Sequence, residues 1–218
     1  MVAMCQLLDN RVRANVTEAY DISGRSIVDN NKDKVAGYPF AHEAWGTGRI
    51  VLKKGLTLTN FEVQYNLYTN QLWYKIGTEV MALMDTLLTA DLSFTNGENP
   101  VPIRLRSNYP AIEKLGRTTL YEVIEEGSVV HLLRHRYKTI VDGFTYQSQL
   151  KYRYKEEEQW YLYDLAEDML FKIPARLNWR QLPININRLI NQYSFSHPDP
   201  RKPEDWVAMA RWLNELPR

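Results

Sequence analysis

Cysteine is nearly missing from this chain: Cys5 is the single one in 218 residues. One thiol excludes an intramolecular disulfide and a multi-cysteine metal site. An excess of one charge is missing too. The 27 Lys and Arg residues balance 26 Asp and Glu, for a formal net charge of +1. A generally basic surface of the kind that holds nucleic acid is therefore unsupported. No stretch reaches the roughly 18 consecutive apolar residues of a transmembrane helix. Met1 to Leu8 is apolar but short, lacks a basic leader and runs into Asp9-Asn10-Arg11, unlike a secretion signal. Val2-Ala3-Met4-Cys5 distantly resembles the end of a lipoprotein signal, but Met4 stands where a small residue is expected. Gly46 and Gly48 form part of no GxGxxG pattern, so no phosphate cradle and no cofactor is expected.

What is present is ordinary in amount and skewed in kind. Hydrophobic residues make up 44% and charged residues 24%, enough for a sizeable core. Aromatics reach 12%, with 14 Tyr and 6 Trp, and such side chains fit pleated, half-buried strands. The length suits one domain, with two also compatible.

Three regions follow from the pattern. Residues 1–36 read as a polar arm, with Asp29-Asn30-Asn31-Lys32-Asp33-Lys34 as a solvated run. Residues 37–175 read as a β-rich core. Alternating runs at Ile50–Leu52, Phe61–Leu67 and Leu72–Ile76, joined by short polar connectors, predict an antiparallel meander. Residues 79–88 fit helical spacing at Val80, Leu83, Met84 and Leu87, yet their context favours strand. Asn96-Gly97 marks a turn, 107–118 a loop, and Leu120–Ile124 with Val129–Leu133 a hairpin. A further hairpin is predicted between Tyr146–Tyr154 and Trp160–Tyr163, turning at Glu156-Glu157-Glu158. Residues 176–218 read as a helical segment packed on the same domain. Pro183 and Pro203 start its helices, and Trp206, Met209, Ala210 and Leu213 form the apolar stripe of the second. The fold class expected is mainly β (α+β): a meander of successive hairpins, as an open sheet or partial barrel, with short C-terminal helices.

No catalytic set converges in the sequence. His131 and His135, four apart, are the candidate metal ligands, but Leu132 stands where HExxH has its glutamate, and Val129-Val130 indicates a strand. His42 and Glu43 show adjacency only, and Cys5 has no identifiable base. Arg134, His135, Arg136 and Lys138 form a basic run best read as a solvated strand face. Trp45, Tyr65, Trp73, Tyr152 and Trp160 are the candidate binding residues, because aromatics line carbohydrate and apolar grooves as well as filling cores.

Gly37-Tyr38-Pro39-Phe40, Trp45-Gly46-Thr47-Gly48-Arg49-Ile50-Val51-Leu52, Gly55 and Tyr65-Asn66-Leu67-Tyr68 carry a resemblance. Over residues 37–76 the chain resembles a loosely defined group of uncharacterised Bacteroidota proteins with the pattern W-x-x-G-x-[IV]-x-L…[YF]-N-[LI]-Y. That group usually has a secretion signal and a lysine-rich helical tail. This chain departs from both, with Pro198, Pro200 and Pro203 in its tail. The resemblance implies a cell-envelope setting and no activity.

The function expected is a non-catalytic, envelope-associated binding or scaffolding domain, with a protein, glycan or lipid as partner. The alternatives are a hydrolase-type enzyme assembled from distant residues, His42, His131 or His135 among them, and a cytoplasmic protein-interaction module. The periplasm or envelope is the expected location if an N-terminal signal has been lost, and the cytoplasm otherwise.

Overall fold

The computed structural model describes residues 35–77, 79–96, 99–143, 152–174, 182–192, 199 and 201–216. Among these residues eleven strands and two helices follow one another: β1 (Val35–Ala36), β2 (Gly46–Leu52), β3 (Thr57–Asn66), β4 (Gln71–Ile76), β5 (Glu79–Ala82), β6 (Leu87–Asn96), β7 (Asn99–Arg106), β8 (Tyr121–Glu126), β9 (Val130–Asp142), β10 (Tyr152–Asp164), β11 (Met169–Lys172), α1 (Ile184–Gln192) and α2 (Pro203–Glu215). The sheet order is β1-β10-β9-β8-β7-β6-β2-β3-β4-β5, with β11 also on β10. Among the described pairings all are antiparallel save one: β1 lies parallel to β10, Val35 opposite Tyr152. The fold is thus mainly β with a mixed, mostly antiparallel sheet not closed into a barrel, as expected.

The chain divides into two compact units, Met1–Ile103 with Tyr137–Glu157 and Arg104–Arg136 with Glu158–Arg218. In the first, β2 to β5 form a meander and β6 returns to the other side of β2. The step from Ala82 to Leu87 spans at most roughly 18 Å. Four flat strand spacings alone would need about 19 Å. These five strands must therefore curl. Gly48 helps: it sits inside β2, where a Cβ would overlap the Asp91 carbonyl oxygen of β6. It lies within the strand and not at a turn. A bulge lies beside it, where Asn60 at φ 65° takes up the extra residue of β3. The expected wet face is also absent at one place. Gln64 and Asn66 are buried along with Val63, Tyr65 and Leu67. The Gln64 amide donates to the Glu43 carbonyl, and the Asn66 side chain accepts from the Tyr68 and Thr69 N–H groups, which is why these polar groups tolerate burial.

In the second unit, β8, β9 and β10 carry apolar clusters on both faces. Val130, Leu132 and Leu162 pack with Ile186 and Ile190 of α1 and with the α2 stripe Trp206, Met209, Ala210 and Leu213. Leu133 and Tyr161 pack on the other side with Tyr109 and Tyr121. Asn214 fixes α2 to the start of β9: its Oδ1 accepts from the Val129 and Val130 N–H groups and its Nδ2 donates to the Val130 carbonyl.

Two predicted features are corrected. Glu156-Glu157-Glu158 is no turn, because β10 runs unbroken through it. Cross-strand cations on β9 make strand the better state there: Lys138 lies 3.5 Å from Glu156, and Arg134 lies 3.6 Å from Glu158. Val35 and Ala36 leave the polar arm to pair with β10. The rest of that arm, the segment Tyr146–Gln149 and Gly97 lie outside the described residues. Residues 79–88 resolve as strand: β5, then a break at 83–86, then the start of β6.

Candidate functional site

Among the candidate binding residues, Trp160 lines a cavity of the described residues. In the second unit a recess of about 200 Å³ is lined by Glu158, Gln159, Trp160, Ile173, Arg201, Pro203 and Trp206. Period two on β10 puts Glu158 and Trp160 on one face. The Trp160 indole N–H donates to Glu158 Oε1 at 3.0 Å, and the Arg134 guanidinium lies 5.7 Å from the Trp160 ring centroid. Gln159 uses its amide N–H donors on the carbonyls of Ile173 (2.6 Å) and Trp160 (3.0 Å). The ring is thereby held from its edge and from its backbone. Trp206, 1% exposed, lines the recess as part of the α2 stripe.

The rim is built at the start of α2. Asp199 Oδ1 accepts from the Arg201 backbone N–H, and its two carboxylate oxygens take Nε and Nη2 of the Arg201 side chain at 3.0 and 2.9 Å. Asp205 in turn accepts from the Asp199 N–H. The hydrogen bonds from Arg201 hold the Asp199 carboxyl down at about 2. The same fork raises the Arg201 pKa above its ordinary value. The rim is therefore charged on both sides at any physiological pH, and Arg201 Nη1 is not part of this fork.

Protein-family models, curated proteins and solved structures offer no match to this chain. Its chemistry has to be read from its own geometry.

The other candidates are dispersed. Trp45 immediately precedes β2, with Lys75 Nζ 4.2 Å from its ring centroid. Tyr65 is buried on β3, and its hydroxyl accepts from Asn70 Nδ2 at 2.8 Å. Trp73 on β4 meets Phe40 edge-on at 5.6 Å. Trp73 pairs with Gln64 and Tyr65 with Leu72, so the two rings lie on opposite faces of the sheet. Tyr152 opens β10 beside Val35. These four belong to the first unit and Trp160 to the second, so the five make no single site.

Two of the candidate histidines, His131 and His135, are core side chains, and His42 is half-buried. His42 stacks on Phe94 at 4.6 Å. His131 and His135 both lie buried on β9. Tyr109 Oη is 3.0 Å from His131 Nδ1, and Tyr163 packs against the same ring. Burial lowers the His131 pKa, with Arg106 adding to the effect and Glu126 opposing it. Burial also takes His135 down to about 4. Tyr109 and Tyr121 are both pushed up by burial. Four residues of strand place the two histidines about 13 Å apart, and no group of three or more potential metal ligands gathers among the described residues. Cys5 lies outside the described residues.

The basic run proves divided. Glu122, buried on β8, accepts two bonds from Arg134 (3.0 and 2.6 Å) and one from Arg136 (3.1 Å). Those guanidiniums are structural ion-pair partners, so the expected solvated strand face is only partly wet. Sequence reasoning missed Arg201, Pro203 and Gln159 in the recess altogether. It placed Glu158 in a turn and Trp206 in the core stripe. The missed rim carried one legible sign, the Asp-Pro-Arg-Lys-Pro run ahead of a helix.

Proposed function

We propose that this chain is a non-catalytic binding domain of the cell envelope, and that the Trp160 recess is its ligand site. The observation that supports it is the fixed aromatic plate. Trp160 is anchored by Glu158 and flanked by Arg134 in the wall of a cavity. A rigid aromatic with a few placed polar groups is how concave binding sites are usually built. The envelope setting rests on the resemblance to the Bacteroidota group over residues 37–76. A glycan, peptide or lipid partner then has to reach the recess.

The indole N–H resonance of Trp160, assigned by its loss in Trp160→Ala, tests the reading. The full chain is titrated with saccharides, with short peptides and with lipid vesicles. A saturable shift of that resonance with one class supports the proposal. Failure of all three to move it defeats the binding role. Fractionation of the source cells tests the setting, and recovery solely in the soluble cytosolic fraction argues against the envelope.

A further inference from the structure

We infer that the recess takes a neutral saccharide ring, an assignment that rests on the recess being the binding site. Size sets the first limit. About 200 Å³ is less than the roughly 300 Å³ at which pockets for drug-sized ligands begin. One ring fits, and a longer ligand would have to leave over the rim.

Charge sets the second limit. Among the lining residues Arg201 is the one cation and Glu158 the one anion, and each has an opposite charge beside it, Asp199 at Arg201 and Arg134 at Glu158. Neither charge is buried: the Arg201 side chain is 78% exposed and that of Glu158 45%. An anionic ligand would gain Arg201 but meet Glu158, and a cationic ligand the reverse. A neutral ligand that both donates and accepts hydrogen bonds satisfies both, and vicinal hydroxyls do this. Arg201 spends Nε and Nη2 on Asp199, which leaves Nη1 as the donor for a ligand. Glu158 Oε1 takes the indole N–H, which leaves Oε2 and its long 3.6 Å contact with Arg134 as the acceptor side. Gln159 commits its amide N–H donors to carbonyls, which turns its oxygen toward an accepting role.

Shape sets the third. Trp160 brings a flat aromatic ring to the lining, and Pro203 a puckered apolar one. A pyranose has an apolar face of C–H groups and a polar equator of hydroxyls. The C–H face suits the indole, and the equator suits the charged rim. The rim is preorganised, since Asp205 holds Asp199 and Asp199 holds Arg201 before any ligand arrives. Little ordering is then left to oppose binding.

The experiment titrates the full chain with glucose, galactose, N-acetylglucosamine and cellobiose. Glucuronate and glucosamine serve as charged controls. Tryptophan fluorescence and the Trp160 indole N–H shift are the readouts. The expected result is saturable binding of at least one neutral sugar with a Kd of about millimolar order for a single ring. Trp160→Ala should weaken it about tenfold. Arg201→Ala removes an exposed side chain, so folding is not at stake, and should weaken it about fivefold or more. A charged sugar binding as well as or better than its neutral counterpart overturns the saccharide assignment, as does neutral-sugar binding unchanged in both variants. A Trp160 shift produced by peptides or vesicles and by no sugar overturns this inference and leaves the binding reading standing. Silence of Trp160 toward every class removes both.

Discussion

Tyr121 and Tyr109 are neighbouring buried tyrosines with opposite polar circumstances. The Tyr109 hydroxyl is hydrogen-bonded to His131, whereas the Tyr121 hydroxyl is buried with no hydrogen-bond partner among the described residues. Removing an unsatisfied buried hydroxyl spares its desolvation, and removing a satisfied one strands its partner. Tyr121→Phe should therefore leave stability unchanged or raise it by about 0.5–1 kcal/mol. Tyr109→Phe should cost about 1–2 kcal/mol. Urea unfolding of both variants checks the pair, and a Tyr121→Phe protein clearly less stable than the parent contradicts this account. Glu122 is the converse case. It is 4% exposed and pairs with two guanidiniums, so Glu122→Ala leaves both without their buried anion. The expected loss is about 3 kcal/mol, or roughly 2–4 °C in Tm for each kcal/mol in a chain of this size, read by calorimetry. Sequence alone identified Arg134 and Arg136 as basic but not their partner. Ion pairing across strands depends on register, and the bulge between Val123 and Glu125 shifts that register within β8.

At the scale of elements, close approach matters more than propensity. Gly48 lets β6 lie against β2, and the obstacle to a larger side chain is backbone, which cannot rotate away. Gly48→Ala should destabilise by about 3 kcal/mol and loosen amide-exchange protection in β2 and β6 first. Helix α2 depends on its stripe and on Asn214. That residue makes three bonds to the backbone of Val129 and Val130, so Asn214→Ala should cost about 2 kcal/mol. Faster amide exchange at Val129 and Val130 is the local sign to look for. The stripe itself was legible in sequence, because Trp206, Met209, Ala210 and Leu213 recur at helical spacing and all four are buried. The run through Glu156–Glu158 was not. Three adjacent glutamates resemble a turn until the cations of β9 are placed beside them.

For the whole molecule, pH is the accessible variable. His135 titrates at about 4 in the folded chain because burial disfavours its cation, against an ordinary value of 6.5. His131 is shifted in the same direction. A lowered folded pKa means that the unfolded chain binds the proton more readily. Stability from these groups is complete above pH 6.5 and is lost as pH falls from 6.5 toward 4. His135 alone should account for about 3 kcal/mol of that loss. His135→Phe should flatten the decline in Tm between pH 7 and pH 4.5, and an unchanged slope would show that His135 does not titrate as placed here.

The sequence by itself determined the class of structure: alternation set the strands, Asn-rich and Gly-containing connectors set the hairpins, and helical spacing after two prolines set α1 and α2. Those properties are local, written in periods of two and 3.6 residues. The tertiary structure decided the rest. Sheet order placed β6 beside β2 and β1 beside β10, pairings that no local pattern encodes. It also decided that Trp160 would line a recess, with Arg201 brought across 41 positions of sequence to its rim. Alternation fixes which face a side chain takes, and only packing fixes what that face meets.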